Sequence, residues 1–338
     1  MPGKVAPAPE PLDRGEFDAS PLMRQHPPVL HSPNKQVVFR IACPDGTAGG
    51  HVYYSRWAEM PLPATVDLAA AAALLEIRAG FFDYEPASGA DSAVEWHVNF
   101  ADQNLFYAYG SGLFAQDEMQ VAEHPVLGSL REALVAEGRS TLTLEAGRPT
   151  PVLVMGAERR VRIATDRNAA EGRPYGLYGN AFAQADPDAV RRAATPIDPP
   201  TLTNLIAMAA PAGGYGRYRR DQIELILATA FTGFRAAVLE SRRVAGADAR
   251  VIVHSGFWGC GAFGGNRVLM TLLQLFAAEM AGIDRLVMHI GDSSGRKPVE
   301  QATAILRDSL AVSDSTETDR AIKLIDEMNM EWGHSDGN

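Results

Sequence analysis

The stretch GFWGCGAFGG, residues 256–265, holds glycines whose spacing suits anion binding: Gly259, Gly261 and Gly264 satisfy G-x-G-x-x-G. The preceding ARVIVHS is rich enough in β-branched residues for a buried strand, and the following NRVLMTLLQLFAAEMAG has helical spacing. A strand, a glycine turn and a helix in that order let backbone N–H groups approach a pyrophosphate at the helix N-terminus. A dinucleotide fingerprint would also occupy the first βα turn of its domain, with a ribose-binding acid roughly 20 residues on at the end of a second strand. Asp284 lies near that distance but precedes the next strand, so the spacing argues for an anion cradle of another kind.

The fuller string is more specific. GFWGCGAFGGN, with LLQLFAAEMAG and LVMHIGD downstream and ATAFTGF upstream, resembles the C-terminal signature of the poly(ADP-ribose) glycohydrolase family. There GNWGCGAFGGD precedes a helix and a strand ending in Gly-Asp, and A-Y-x-G-F lies upstream. Trp258, Cys260, Phe263 and the paired Gly264 and Gly265 carry the likeness, which covers about Asp67 to Asp292 and is strongest from Arg219 onward.

The resemblance implies a catalytic segment upstream, written in the family as V-D-F-A-N, a triple glycine and Q-E-E. VNFADQNLFYAYGSGLFAQDEMQ, Val98 to Gln120, is similar to it, and Gln116, Asp117 and Glu118 fall on Q-E-E without a gap. Glu118 thereby takes the place of the family's catalytic acid, with Asp117 assisting at the ribose. Cleaving a glycosidic bond to ADP-ribose passes through an oxocarbenium-like state, for which one carboxyl can protonate the leaving oxygen and then help water attack. Read alone, QDE at a helix start is ordinary charge complementarity to the helix dipole.

The same resemblance implies the binding residues. The backbone at Gly259, Gly261 and Gly264 would hold the diphosphate, and Phe263 matches a phenylalanine packed against the diphosphate-ribose. Tyr178 in YGLYGNAF is similar to a loop tyrosine that covers adenine. Other substrate-contacting positions differ: Asn99 and Asp102 replace the Asp and Asn of V-D-F-A-N, Asp117 the first glutamate, and Ile290 an adenine-contacting aromatic. The triple glycine aligns with Phe106, Tyr107 and Ala108, leaving Gly110 and Gly112 to provide a displaced loop. The implied activity is hydrolysis of an ADP-ribosyl glycosidic bond. Its alternatives are a binding module for ADP-ribose or a nucleotide, and a hydrolase of a free NAD-derived conjugate. Cys260, His254 and Trp258 read as packing residues, with no partner histidine recognisable for the thiol.

These residues need a scaffold that brings strand ends together. The 338 residues, 46% hydrophobic, allow a substantial core, and their patterns alternate between strand and helix. EWHVNFA, KQVVFRIAC, RSTLTLE and PTPVLVMG read as strands, as do 250–255 and DRLVMHIG. DEMQVAEHPVLGSLREALVAEG, RRDQIELILATAFTGFRAAVLESRR and 266–281 read as helices, VDLAAAAALLEI as a short buried helix, and two helices follow the last strand. Asp166 to Pro200 is loop-rich. With the resemblance, this predicts a macrodomain-like three-layer α/β/α fold: a mixed central sheet, an extra N-terminal helical layer and the ligand at the strand ends. Residues 1–35, proline-rich and polar, are expected to form a disordered or draping arm before a single domain over 36–338.

The net charge of -10 argues against direct nucleic-acid binding and an anionic membrane surface. Two cysteines and eight histidines without an H-x-x-x-H pair provide no disulfide framework or recognisable metal site, so no metal or cofactor is expected, and the cytoplasm is the expected compartment. The expected partner is ADP-ribose or an ADP-ribosylated substrate.

Overall fold

Leu205, Ile206, Ala207 and Met208 are all apolar and all buried, as a strand covered on both faces requires. Leu205 and Ala207 enter one core and Ile206 and Met208 the other, so the sheet is the middle of three layers. A computed structural model describes residues 9–68, 71–87, 89, 92–311 and 315–337.

In chain order the strands are β1 (Asp13–Asp18), β2 (His51–Arg56), β3 (Thr65–Val66), β4 (Leu75–Arg78), β5 (Val94–Ala101), β6 (Leu144–Glu145), β7 (Arg148–Pro149), β8 (Val152–Ile163), β9 (Ala194–Ala209), β10 (Val251–Ser255), β11 (Arg285–His289) and β12 (Thr316–Glu317). The helices are α1 (Ala19–Gln25), α2 (Pro33–Ala42), α3 (Gln116–Glu123), α4 (Val126–Ala136), α5 (Ala181–Gln184), α6 (Pro187–Ala193), α7 (Arg220–Ala245), α8 (Arg267–Ala281), α9 (Arg296–Ile305) and α10 (Thr318–Glu327). Eight strands form the main sheet in the order β1-β2-β8-β9-β5-β10-β11-β4. The run from β9 to β4 is parallel, while β1, β2, β8 and β9 pair antiparallel. Parallel strands β9 and β10 flank β5 on opposite sides, the arrangement that opens a crevice beyond strand C-termini.

One face packs on α7 and α8. The stripe Ile223, Ile226, Leu227, Ala230, Phe231 and Phe234 of α7 is buried against Trp96, Val98 and Met208 of the sheet. The opposite core joins Leu22, Met23, Val37 and Val38 of the first two helices to α4 and α6 over Val152, Val154 and Leu205.

Five expectations are corrected. From residue 9 the arm is ordered, with β1 on the edge of the main sheet against β2 and α1 and the start of α2 in the second core, while residues 1–8 lie outside the described residues. KQVVFRIAC is helix α2: Ser32 and Pro33 begin it, and Val37, Val38 and Ala42 are buried. VDLAAAAALLEI is chiefly a 3₁₀ turn at Ala71–Leu74 leading into β4, whose pairing with β11 overrides alanine's helical preference; residues 69–70 lie outside the described residues. The helix from Asp117 to Gly138 is two, because Pro125 separates α3 from α4. RSTLTLE contributes only β6, paired with β7.

Candidate functional site

A cavity of about 660 Å³ opens beyond β5, β10 and β11, between the glycine turn, α3 and the loop after β4. Its size is within the usual range of small-molecule sites. On the turn side, Gly259 has φ +75° and a side chain there would meet Ala210 at 2.6 Å, while one at Gly265 would meet the Gly259 carbonyl at 2.7 Å. Those glycines are needed for the turn's own folding.

Inside the turn the amides of Cys260, Gly264 and Gly265 bond the carbonyls of Phe257, Gly261 and Gly259. The Asn266 side chain accepts from the amides of Val268 and Leu269, so α8 caps itself. Among the described residues, the amides of Gly261, Ala262 and Phe263 make no hydrogen bond, and of these three residues Gly261 lines the cavity and can offer its amide to an anion there. Arg267 is the only Lys or Arg lining the cavity among the described residues, its guanidinium 4.8 Å from the Phe257 ring. Trp258, fully buried, braces the turn by donating from Nε1 to the Met208 carbonyl at 2.9 Å. Cys260 also lines the cavity, and burial pushes its thiol up to about 12, so the thiolate is scarce at neutral pH.

Helix α3 turns one face to the cavity: Gln116, Met119, Gln120 and Glu123 line it at helical spacing. Gln116 substitutes for a strand partner beyond β10, accepting from the Phe100 amide at 2.7 Å and donating to the Val98 carbonyl at 3.1 Å. Asp117 and Glu118 point away from that face. Asp117 accepts from Asn99 Nδ2 at 3.0 Å, and Glu118, 4% exposed, accepts from the Ala115 amide at 2.9 Å. Burial raises both carboxyls above their ordinary range; their mutual charge adds to this at Asp117, while Lys35 opposes it at Glu118. Lys35, from α2, is itself buried, with Nζ donating to the Tyr109 carbonyl at 2.6 Å and 5.4 Å from the Phe114 ring. Burial lowers its amine to about 8, against the pull of Glu118 and Asp117.

Over β5, β10 and β11 lies a layer of histidines. His97 stacks on His254 at 4.3 Å, and His254 contacts Glu95 through Nε2 at 2.6 Å and His289 through Nδ1 at 3.2 Å. Phe82 and Tyr84 cover them, Tyr84 stacked on His97 at 4.6 Å with Arg159 at 4.1 Å from its ring. Tyr84 has φ +60°, unusual for a bulky residue and held by these stacks. Glu123 joins Arg159 in a buried ion pair at 2.8 Å.

Of the residues singled out in the sequence, Gln116, Tyr178, Gly261 and Ile290 line the cavity together. Glu118 stands behind them: after burial, the charges of Asp336 and Glu118 help push the Tyr178 phenol up to about 12. Gly259 and Gly264 shape the turn, and Phe263 packs against the α7–α8 core. Others lie off the cavity. Asn99 is enclosed between Asp117 and Gln120, and exposed Asp102 accepts from the Asn104 amide. A side chain at Gly110 would meet the Val29 carbonyl at 2.1 Å, and one at Gly112 would meet Ala183 at 2.8 Å, so both serve packing. Phe106, in the place of the first of three glycines, is buried yet keeps a left-handed φ of +52°. His254 is a fully buried member of the histidine layer. Sequence reasoning missed Phe81, Phe82 and Tyr84, as well as Lys35, Arg267 and Asp336; no spacing rule connects these separate segments to one site.

The layered mixed sheet, with its crevice at the parallel strand ends, defines a macrodomain-like α/β fold. Residues 170–296 match the family model described as "Poly (ADP-ribose) glycohydrolase (PARG), Macro domain fold", so this part of the chain is similar to that family. The match begins after α3 and so leaves Asp117 and Glu118 outside it. No curated protein matches the sequence. Among solved structures, it is similar to a poly(ADP-ribose) glycohydrolase from Thermomonospora curvata at 15% identity over 69% of this chain and 76% of that one, with a TM-score of 0.39. The same enzyme bound to the inhibitor ADP-HPD gives 16% over 80% and 87%, TM-score 0.41. The enzyme from Deinococcus radiodurans in complex with ADP-ribose gives 15% over 72% and 91%, TM-score 0.37.

Proposed function

We propose that the cavity binds the ADP-ribosyl part of a substrate and that the protein hydrolyses the glycosidic bond to it, with Glu118 as general acid and then general base. One observation carries the reading: the uncommitted Gly261 amide lies in the same crevice as a wall backed by a buried carboxyl. The Gly261 amide and the Arg267 guanidinium, both on the cavity wall, suit a diphosphate. Burial keeps Glu118 protonated to a higher pH than an exposed glutamate, which suits donation to a leaving oxygen; the resulting carboxylate then activates water. Asp117, held by Asn99, positions the pair. This reading requires the substrate's ribose to reach Glu118, which stands behind the lining residues Tyr178 and Gln116.

A second reading, ADP-ribose binding without turnover, is favoured by one specific observation: Glu118 is 4% exposed and bonded to the Ala115 amide. Calorimetry with ADP-ribose, using NAD and AMP as controls, followed by product analysis on an ADP-ribosylated protein, separates the two. Binding with release of ADP-ribose by the wild type and none by Glu118→Gln supports hydrolysis. Binding without release supports the module, and absence of binding removes both.

A further inference from the structure

We propose that residues 333–337 form a strap across the glycine turn, with the Asp336 carboxylate occupying ground that a ligand's diphosphate must take. The inference rests on the reading above that this turn receives a diphosphate.

The strap begins at a firm anchor. Trp332, 8% exposed, stacks on Tyr218 at 4.3 Å and 14°, and its amide donates to the Gly216 carbonyl at 2.8 Å. Gly214 lies flat against the indole, where a Cβ would come within 1.9 Å of it. From there the backbone runs directly over the turn. A Cβ on Gly333 would be 3.0 Å from the Gly265 carbonyl, and one on Gly264 would be 3.0 Å from the Ser335 amide. The Asp336 amide donates to the Gly261 carbonyl at 3.3 Å, and Asn180 Nδ2 donates to the Gly337 carbonyl at 3.2 Å. The chain thus bridges the cavity mouth from Trp332 to the loop carrying Tyr178.

Charge and position set what the strap does. Asp336 Oδ2 lies 3.1 Å from the point where a side chain on Gly261 would begin, against a residue whose amide is uncommitted. Gly333, His334 and Asp336 all line the cavity. A carboxylate and a diphosphate cannot share that ground: they exclude each other from the same space and repel each other. Residues 333–337 are all exposed, so the strap lacks the buried side-chain packing that holds Trp332. It can therefore lift while its anchor stays, and the fraction of molecules with it lifted scales the apparent affinity for any diphosphate ligand.

The test is calorimetric titration of the full chain and of Asp336→Asn with inorganic pyrophosphate and, separately, with ADP-ribose. Removing one opposing charge at a partly exposed site is expected to tighten pyrophosphate binding about fivefold. Equal or weaker pyrophosphate binding by the variant, or no pyrophosphate binding by either protein, overturns the strap. Tighter pyrophosphate binding with no ADP-ribose binding by either protein leaves the strap standing and removes the ADP-ribosyl reading.

Discussion

Glu118 owes its character to two opposing neighbours, the apolar surroundings that favour its protonated form and the Lys35 amine that favours its ionised form. Replacing Lys35 with Met removes the second, so the Glu118 pKa is expected to rise. In a carbon-detected titration of the glutamate carboxyls, its transition should move to higher pH, and an unmoved transition would show that Lys35 serves packing alone. If hydrolysis is confirmed, Glu118→Gln should cost on the order of 10²–10⁴ in rate while leaving ADP-ribose affinity within about twofold. A fall in affinity as large as the fall in rate would instead make Glu118 a folding or binding group.

At the scale of elements, the glycine turn and the head of α8 form one folding unit. Gly259→Ala puts a Cβ 2.6 Å from Ala210 at a φ of +75°, and the strain should cost about 1–3 kcal/mol in urea unfolding. Asn266→Ala removes the cap on Val268 and Leu269 and should cost about 0.5–2 kcal/mol. That variant also releases two helix amides beside the cavity. α3 and α4 show where local reading failed: the periodicity was visible, but Pro125 ends the first helix, and the resulting short α3 has room for one cavity-facing stripe. Lys35 was hidden for a different reason. It sits in a β-branched run that resembles a strand, and only the packing of α2 against α6 and β9 makes it a helix that drives an amine toward Glu118.

For the whole molecule, the buried histidines, two of that layer and His124 at the end of α3, set a pH dependence. Burial, the leading cause in each case, holds His97 well below its ordinary 6.5, His124 at about 3 and His289 at about 4. Below pH 6.5 the unfolded chain takes up protons that these folded histidines refuse, so their contribution is complete above that pH and drains as it falls toward 4. The unfolding midpoint should drop over that window. His97→Phe, which keeps a flat ring between Tyr84 and His254 and discards two ring nitrogens without partners, should make the drop shallower. An unchanged slope would place the acid sensitivity elsewhere. The buried carboxyls act in the opposite sense. The raised folded pKa of Asp117 means stability is lost as pH rises above the unfolded value of 3.8, and Asp117→Asn should relieve that loss near neutral pH.

The sequence by itself determined the elements whose periodicity is long and unbroken, α7, α8, β10 and β11, and the glycine turn between two of them. Each depends on residues a few positions apart, and the Phe263, Gly264 and Gly265 string carries its resemblance by local order alone. Only the tertiary structure decided which face of α3 meets the cavity, that the N-terminal segment joins the sheet, and that Asp336 lies over Gly261. Those outcomes follow from burial and pairing between segments far apart in the chain, where the geometry of one element is set by the surface another offers it.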